Sequence, residues 1–225
     1  MRYGRFYGRR FAYDVKIGTM NTNANVTRWM WVRHFPTNAS GIYVGQTDKP
    51  AEVPPVCLPH TLNIPIVDPA KIVWLASPLM RAQQTMRWLK QSLKLPDNEY
   101  TIVPELMEQH FGLWEGKRYD DIHDQMDWSQ AESIQPPEGE SFLDVIGRVH
   151  AWLVQAMEDY AGYTVVAVCH AGPIRAALAY TLTSPASAAL RFHLDYASLT
   201  QMTYFQHQNS WSGRVESVNT PIKRG

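Results

Sequence analysis

The apolar run YTVVAVCH at residues 163–170 limits the fold of this chain more than any other segment. Apolar side chains on both faces of a strand are typical of a parallel sheet that helices cover on both sides. Gly172 and Pro173 follow directly, and proline is well suited to the first turn of a helix. The segment therefore predicts a buried strand that leads straight into a helix, which is the repeating unit of an α/β fold.

The rest of the chain alternates predicted strands and helices in the same way. After one predicted strand, Ser77 is a suitable N-cap, Pro78 suits the first turn, and apolar residues follow at helical spacing. Another amphipathic helix is predicted to begin near Ser141. This alternation predicts a three-layer α/β/α sandwich with a mainly parallel central sheet. The remaining predicted strands span residues 27–34, 71–77, 198–206 and 213–218.

Composition narrows the classes of function. The chain has 225 residues, of which 45% are hydrophobic, and its formal net charge is zero. Such a chain suits one soluble domain, which we place at residues 28–225. Nucleic-acid-binding domains usually have a basic excess, and a membrane span needs about 20 apolar residues in a row; the sequence has neither. We therefore expect a cytoplasmic protein without a nucleic-acid or membrane partner, and free thiols at its two cysteines.

The first 27 residues differ from the rest in charge. They carry five Arg or Lys and one Asp, whereas the remainder carries 16 basic and 20 acidic residues. The segment lacks the apolar core of a secretory signal. Its Arg-rich composition could indicate a transit peptide, but Gly and Tyr interrupt any helical face. We favour a disordered basic tail, or an upstream translation start with Met20 as the true one.

The proline-rich segment at residues 50–69 predicts an extended surface loop, because its prolines exclude a regular helix over most of its length. Cys57 and His60 lie in this segment at a spacing that two metal ligands could have. No second pair of ligands stands nearby, so we predict no metal site.

Charged side chains follow the predicted strands at the points where these strands end. Arg33 and His34 end the first strand, Arg81 lies in the first turn after the second, and His170 ends the strand of the opening run. Ligands of open α/β sheets bind beyond the carboxyl ends of the strands, where helix N-termini add backbone N–H donors. Two arginines and two histidines at this edge predict a pocket for a dianionic phosphate.

One histidine of such a pocket could also act as a nucleophile. A neutral imidazole can attack phosphorus to give a phosphoenzyme, and flanking arginines would lower its pKa and keep it neutral near pH 7. The leaving alkoxide then needs a proton from a nearby acid. The segment PELMEQHFGLWEG offers three candidates, Glu105, Glu108 and Glu115.

Five blocks of this sequence together resemble the histidine phosphatase superfamily, which has the phosphoglycerate-mutase-like fold. Each block alone is a weak signal, whereas all five in order and at family-like spacing are a strong one. They extend over about two thirds of the chain. The blocks are VRHFPT (32–37), SPLMRAQQT (77–85), LMEQHFGLWEG (106–116), PEGESFLDVIGRV (137–149) and VVAVCHAGPIRAAL (165–178).

The resemblance implies roles for individual residues, with no metal and no cofactor. His34 matches the nucleophile that becomes phosphohistidine, and Glu108 matches the general acid. His170 matches a catalytic histidine that also binds the phosphate. Glu105 and Glu115 are better interpreted as a loop cap and a surface or structural carboxylate. The other implied phosphate contacts are the side chains of Arg33 and Arg81, the backbone N–H of Ala171 and, in an uncertain register, Thr37 and Asn38.

Two substitutions next to the nucleophile depart from the family. Phe35 stands where the family usually has glycine, and Pro36 stands where glutamate is common. The phenyl ring could narrow the pocket or turn away into the core. We therefore expect activity, with the fit of the substrate open.

The sequence also indicates which branch of the family it resembles. The segment from Gly112 to Gly139 is short, and Gln109 replaces an arginine that phosphoglycerate mutases use for their substrate. We therefore predict a phosphomonoesterase for a small phosphorylated metabolite, with wording closest to the α-ribazole phosphatases and α-ribazole 5'-phosphate as a candidate substrate. The alternatives are a phosphoglycerate-type mutase, a protein phosphohistidine phosphatase, and a weakly active phospho-ligand binder. A homodimer is possible.

Overall fold

A computed structural model describes residues 26–62, 64, 68–124, 126–208 and 210–223. Within them, six strands form one sheet: β1 (Val26–Arg33), β2 (Ile72–Ala76), β3 (Thr101–Ile102), β4 (Thr164–Cys169), β5 (Ser198–His207) and β6 (Ser210–Pro221). The strand order is β3-β2-β4-β1-β5-β6. Neighbours among β3, β2, β4 and β1 are parallel, whereas β5 and β6 are antiparallel to their neighbours. The predicted, mainly parallel sheet is therefore correct.

The helices follow the strands as the sequence predicts. The α-helices are α1 (Met80–Ser92), α2 (Tyr119–His123), α3 (Phe142–Asp159), α4 (Ala171–Leu182) and α5 (Ala186–Ala189). Short 3-10 helices span Pro59–Thr61, Pro69–Lys71, Pro104–Leu106, Gly112–Trp114 and Trp128–Ser133. None of the helices in the described part of the chain is long and apolar enough to cross a membrane.

Alternation along the central strands creates the three layers. Trp29 and Trp31 of β1 point into a buried cluster with residues of α3 and α4. Met30 and Val32 point the other way and are buried with residues of α1. Successive side chains of a strand point to opposite faces, so this apolar strand needs a helical layer on each side. The sheet is thus the middle layer of an α/β/α sandwich.

The strand directions bring one further segment to the edge that carries the predicted site. Arg33 at the end of β1 is level with Cys169 at the end of β4. Because β5 is antiparallel to β1, its beginning lies at this edge, with Leu199 opposite Val32. The residues just before β5 therefore lie at the same edge of the sheet as the ends of β1 and β4.

The predicted helix starts at Ser77 and Ser141 differ in outcome. Ser141 caps α3 in a capping box: its hydroxyl accepts a bond from the Asp144 N–H, and the Asp144 carboxylate accepts one from the Ser141 N–H. The predicted N-cap at Ser77 is wrong, because α1 begins at Met80 and Leu79 is its N-cap. Ser77 is buried and its hydroxyl contacts His170 instead, so a tertiary contact overrides the local preference.

Two predicted segments fall partly outside the described residues. Of the predicted tail at residues 1–27, residues 1–25 lie outside them, and Val26 and Thr27 belong to β1. These two residues of the predicted tail are therefore part of the sheet. The proline-rich segment at 50–69 is irregular where it is described, except for two short 3-10 helices.

Removal of the Ser141 cap should weaken α3. We expect Ser141→Ala to lower the free energy of unfolding by about 1 kcal/mol, because the Asp144 N–H loses its acceptor. Urea denaturation measures this, with Ser141→Thr as the control that keeps an acceptor oxygen. Equal stability of Ser141→Ala and the wild type would show that the capping box contributes nothing.

Candidate active site

His34 lies directly after β1 and is 4% exposed. Its Nδ1 is 2.6 Å from the carbonyl oxygen of Phe35, which can only accept a hydrogen bond. Nδ1 therefore carries the proton. Nε2 accepts a hydrogen bond from Nε of Arg81 at 3.2 Å, so this nitrogen holds the lone pair. The imidazole is neutral, and Nε2 is its nucleophilic atom.

The surroundings of His34 keep it neutral. Burial lowers the pKa of His34 well below its usual value of 6.5, and the positive charges of Arg81 and Arg33 lower it further. The hydrogen bond to the Phe35 carbonyl opposes this shift without cancelling it. The lone pair is therefore available at neutral pH.

Arg81 is buried in the first turn of α1, and protein groups engage three of its nitrogens. Nε donates to His34, Nη1 donates to the carbonyl oxygen of Thr47 at 3.0 Å, and Nη2 donates to that of Gly45 at 2.6 Å. Burial lowers the pKa of Arg81, and the negative charge of Glu108 raises it. The guanidinium is thus fixed beside His34 by two backbone carbonyls.

His170 directly follows the strand β4 and is the N-cap of α4. Its ring lies 4.8 Å from that of His34, centroid to centroid, and its Nε2 lies 2.8 Å from the Ser77 hydroxyl. That hydroxyl also accepts a bond from the Leu79 N–H. We assign its proton to the contact with Nε2, which places the ring proton of His170 on Nδ1. Burial, His34 and the arginines all lower the pKa of His170, which is therefore also neutral.

Arg33 is the last residue of β1, and its side chain extends towards the same site. Its guanidinium carbon lies 3.8 Å from the ring centroid of Tyr196, and its Nη1 donates to the carbonyl oxygen of Leu194. The Tyr196 ring is in turn 5.4 Å from that of His34. The segment before β5 thus orients Arg33 by a cation–π contact and a hydrogen bond.

Two buried donors at this site have no partner. In the described part of the chain, Nε of Arg33 and Nδ1 of His170 are among five buried polar side-chain atoms without a hydrogen bond. Buried polar groups in native proteins are nearly always paired, so each exception needs an explanation. An oxyanion that accepts both N–H groups would supply one.

Glu108 lies across the site at the N-terminus of α4. Its Oε1 accepts hydrogen bonds from the backbone N–H groups of Gly172 at 3.0 Å and Gln109 at 2.9 Å. A Cβ atom at Gly172 would lie 2.3 Å from this oxygen, so only glycine allows the approach. These bonds leave Oε2 as the oxygen that can exchange a proton.

An ion pair behind Glu108 holds its backbone in place. Arg148 of α3 donates to the carbonyl oxygens of Met107 at 2.8 Å and Glu108 at 3.0 Å. Its Nε also pairs with Glu140 at 2.9 Å, and the Glu140 carboxylate accepts a bond from the His110 N–H. The Gly139-Glu140-Ser141 block therefore starts a helix and also supports the acid-bearing segment.

The phenyl ring of Phe35 turns away from the site. Phe35 is 7% exposed and packs edge-on against Trp88 in the cluster beneath α1, with centroids 4.8 Å apart. Its N–H donates to Oγ1 of Thr85, which accepts at 3.0 Å. Of the two outcomes open from the sequence, the structure shows the one in which the ring joins the core.

The remaining predicted phosphate contacts are placed as follows. Ala171 opens α4, so its N–H belongs to the free N-terminal turn of that helix. Thr37 is buried and Asn38 is exposed, both in the loop that follows His34. The structure brings His34, Arg81 and His170 into contact, whereas the roles of Thr37 and Asn38 stay predictions.

Sequence reasoning missed three residues that orient the site. Tyr196 stacks on Arg33, Ser77 contacts His170, and Glu115 binds the loop that holds Arg81. Tyr196 could have been found, because the beginning of an antiparallel strand meets the carboxyl ends of parallel ones. Ser77 and Glu115 act through loop geometry, which has no periodic signal.

The described residues form no metal cluster at the site. No group of three or more His, Cys, Asp or Glu side chains placed to hold a metal ion occurs among the residues described. A cavity of about 1030 Å³ lies elsewhere, against α3, α4 and the strands β5 and β6, and none of the site residues lines it. The site is therefore recognised by converging polar groups.

Comparison with known proteins agrees with this arrangement. The model of the family "Histidine phosphatase superfamily (branch 1)" matches residues 64–216, which is more than half of the chain. The match includes Arg81, Glu108 and His170 and begins after His34.

Individual relatives span different parts of the chain. "Bifunctional protein Rv2228c" of Mycobacterium tuberculosis is 35% identical over 137 residues, which are 58% of this chain and 36% of that protein. The chain thus spans little more than a third of that relative's length. "Adenosylcobalamin/alpha-ribazole phosphatase" of Escherichia coli is 28% identical over 178 residues, which are 74% of this chain and 84% of that protein.

A solved structure shows the same fold. The crystal structure of the alpha-ribazole phosphatase from Shigella flexneri has a TM-score of 0.64 and 25% identity, covering 88% of this chain and 98% of that one. The predicted phosphoglycerate-mutase-like fold is confirmed, and so is the family that the five sequence blocks resemble. The chain belongs to the histidine phosphatase superfamily.

Proposed function

We propose that this protein is a metal-independent phosphomonoesterase that works through a phosphohistidine on His34. One observation carries the proposal: His34 is buried as the neutral tautomer, with its Nε2 lone pair among Arg81, Arg33 and His170. A nucleophile of this kind serves a phosphoryl group, since three equatorial oxygens need donors while the nitrogen attacks.

The phosphoryl oxygens would be bound by groups that are already in place. Arg81 and Arg33 supply guanidinium donors, His170 supplies the unpaired Nδ1–H, and the α4 N-terminus supplies backbone N–H groups and a positive dipole end. Arg81 Nε donates to His34 in the free protein, so a substrate oxygen has to take over this donor before attack. The positive charge needed for the transition state then comes from the protein itself.

Glu108 would move the proton in both steps. In the first step Nε2 attacks phosphorus, the bond from phosphorus to the ester oxygen breaks, and Oε2 of Glu108 gives its proton to that oxygen. In the second step water attacks phosphorus and gives a proton back to Glu108, the bond from phosphorus to Nε2 breaks, and inorganic phosphate leaves the neutral His34 ring. The N–H groups that hold Oε1 keep the carboxyl group oriented throughout.

The substrate we propose is a small phosphorylated metabolite with a planar group, such as α-ribazole 5'-phosphate. Tyr196 is 40% exposed beside His34, which leaves ring surface for a leaving group to pack on. Burial raises the pKa of Tyr119, and the charges of Tyr196 and Arg33 also affect it. The name of the Escherichia coli relative, an α-ribazole phosphatase, points to the same class of compound.

Two observations argue against a phosphoglycerate-type mutase and against a weakly active phospho-ligand binder. Gln109 donates its amide to the carbonyl oxygen of Glu140 at 2.7 Å, so it is engaged and offers no cation for the carboxylate of phosphoglycerate. Phe35 packs in the core, which removes the steric reason for expecting a phospho-ligand binder without turnover. Hydrolysis of small phosphomonoesters is therefore the function that the site supports best.

Substitution of the nucleophile is the direct test. With p-nitrophenyl phosphate and excess EDTA, we expect turnover in the wild type and a loss of at least about 10³-fold in His34→Ala, since the covalent step has no other nucleophile. His193→Ala, which removes an exposed histidine, should keep full activity. Turnover by His34→Ala, or loss of wild-type turnover in excess EDTA, would overturn the mechanism.

The charge state of His34 can be followed directly by pH titration. Because its pKa lies below 6.5, the ring should stay neutral at pH 7 and protonate only at lower pH. Arg81→Gln removes a positive neighbour, so the pKa should rise towards 6.5. NMR of the His34 ring proton measures both, with Arg81→Lys as the control that keeps the charge. A titration of the wild type at or above 6.5 would contradict the neutral-nucleophile assignment.

The role of Glu108 predicts a dependence on the leaving group. Glu108→Gln should slow hydrolysis of alkyl phosphates about 10²- to 10⁴-fold, because their alkoxides need a proton. It should slow the first step with p-nitrophenyl phosphate far less, since nitrophenolate leaves without one. Burst kinetics separate the first step from the second, and Glu105→Gln is the control for loss of a nearby negative charge. Equal losses for both leaving groups would exclude Glu108 as the acid.

A further inference from the structure

We infer that Glu115 is a positioning residue that holds Arg81 against the nucleophile through the loop of residues 45–47, here called the Arg81 loop. The inference goes beyond the proposed function, and its kinetic test rests on that function. Glu115 touches neither His34 nor the expected position of the phosphate. Its effect passes through backbone groups that contact Arg81.

Both oxygens of the Glu115 carboxylate each accept two hydrogen bonds from neighbouring donors. Oε1 accepts from the N–H groups of Gln46 at 2.8 Å and Phe111 at 3.2 Å, and Oε2 accepts from the N–H of Thr47 at 2.8 Å and from its hydroxyl. The side chain is only 13% exposed. A carboxylate is the one side-chain group of this size that accepts on both sides and donates on neither.

The Arg81 loop passes this constraint on to Arg81. Its N–H groups point to Glu115, and its carbonyl oxygens at Gly45 and Thr47 accept from Nη2 and Nη1 of the guanidinium. Two acceptors on two nitrogens fix the plane of a guanidinium, because its N–H groups form a rigid fork. That plane decides whether Nε points at Nε2 of His34, as it does at 3.2 Å.

Gly45 makes the contact between the Arg81 loop and Glu115 possible. Its φ is +55°, a conformation that favours glycine, and a Cβ atom there would lie 2.2 Å from Oε1 of Glu115. A methyl group at this position would therefore push the carboxylate away from the loop. Glu115 and Gly45 can thus be changed separately to break the same contact.

The Arg81 loop also reaches the acid-bearing segment. The Gln46 side-chain amide donates to the carbonyl oxygen of Glu108 at 3.0 Å. At the other end, the next residue, Asp48, accepts a bond from the Met80 N–H at the start of α1. Displacement of the loop would therefore change the alignment of Arg81 with both His34 and Glu108.

A double-mutant cycle separates positioning from general stabilisation. Glu115→Gln keeps the shape of the side chain but replaces one acceptor oxygen with a donor, so the two sides cannot both be satisfied. We expect a loss of about 10- to 100-fold in kcat/KM, as is typical when a catalytic group is misplaced by a fraction of an ångström. In an Arg81→Ala background the same change should cost less than about twofold. Glu105→Gln is the control and should stay at wild-type activity.

Additive losses in this cycle would overturn the inference, because they would mean that Glu115 acts independently of Arg81. Thermal unfolding of each variant shows whether the protein stays folded. If Glu115→Gln does not fold, Gly45→Ala tests the same contact from the other side and should again be silent in the Arg81→Ala background.

A second readout does not depend on activity. In the ligand-free wild type, the buried Nε–H of Arg81 should give a slowly exchanging NMR signal, because it is hydrogen-bonded to His34. The signal should be lost in Glu115→Gln and Gly45→Ala and retained in Glu105→Gln. Its retention in Glu115→Gln would overturn the inference. A wild type that shows the signal but hydrolyses no phosphomonoester would overturn the proposed function alone.

Discussion

The hydrogen bond from Nδ1 of His34 to the carbonyl oxygen of Phe35 is the contact on which the rest of the site depends. It decides which ring nitrogen keeps a lone pair, and the positive charges around the ring keep that nitrogen unprotonated. The Nε–H of Arg81, which donates to Nε2, favours the same tautomer in the free protein. The site is therefore built around a choice of tautomer.

Concentrated positive charge at a sheet edge is costly unless other groups balance it. Here the balance comes mainly from carbonyl dipoles: Gly45 and Thr47 on Arg81, and Leu194 on Arg33. Dipoles orient a guanidinium without neutralising it, whereas a carboxylate partner would compete with the phosphate. The carboxylate of Glu115 accepts hydrogen bonds from the loop that contacts Arg81 and so orders this loop.

Sequence patterns could predict the parts of this structure that depend on periodicity and strand direction. The apolar run before His170 predicts a central strand, and strand ends place Arg33, Arg81 and His170 at one edge. The assignment of Glu108 needed the family resemblance. Sequence patterns could not predict the positions of side chains that depend on loops. The predicted role of Ser77 as an N-cap was therefore wrong, and Glu115 was interpreted only as a surface or structural carboxylate. These positions depend on tertiary contacts that local preference does not encode.

The antiparallel strand β5 has a consequence for the folding of the chain. Strand β1 lies between β4 and β5 in the sheet, although it precedes them by well over a hundred residues. Pairing over such separations is slow, since a long loop must close before contacts form. Arg33 meets Tyr196 only after β5 has docked. This part of the site therefore cannot form until the chain has been synthesised through β5, and a ribosome-bound fragment that ends before Tyr196 lacks the ring that stacks on Arg33.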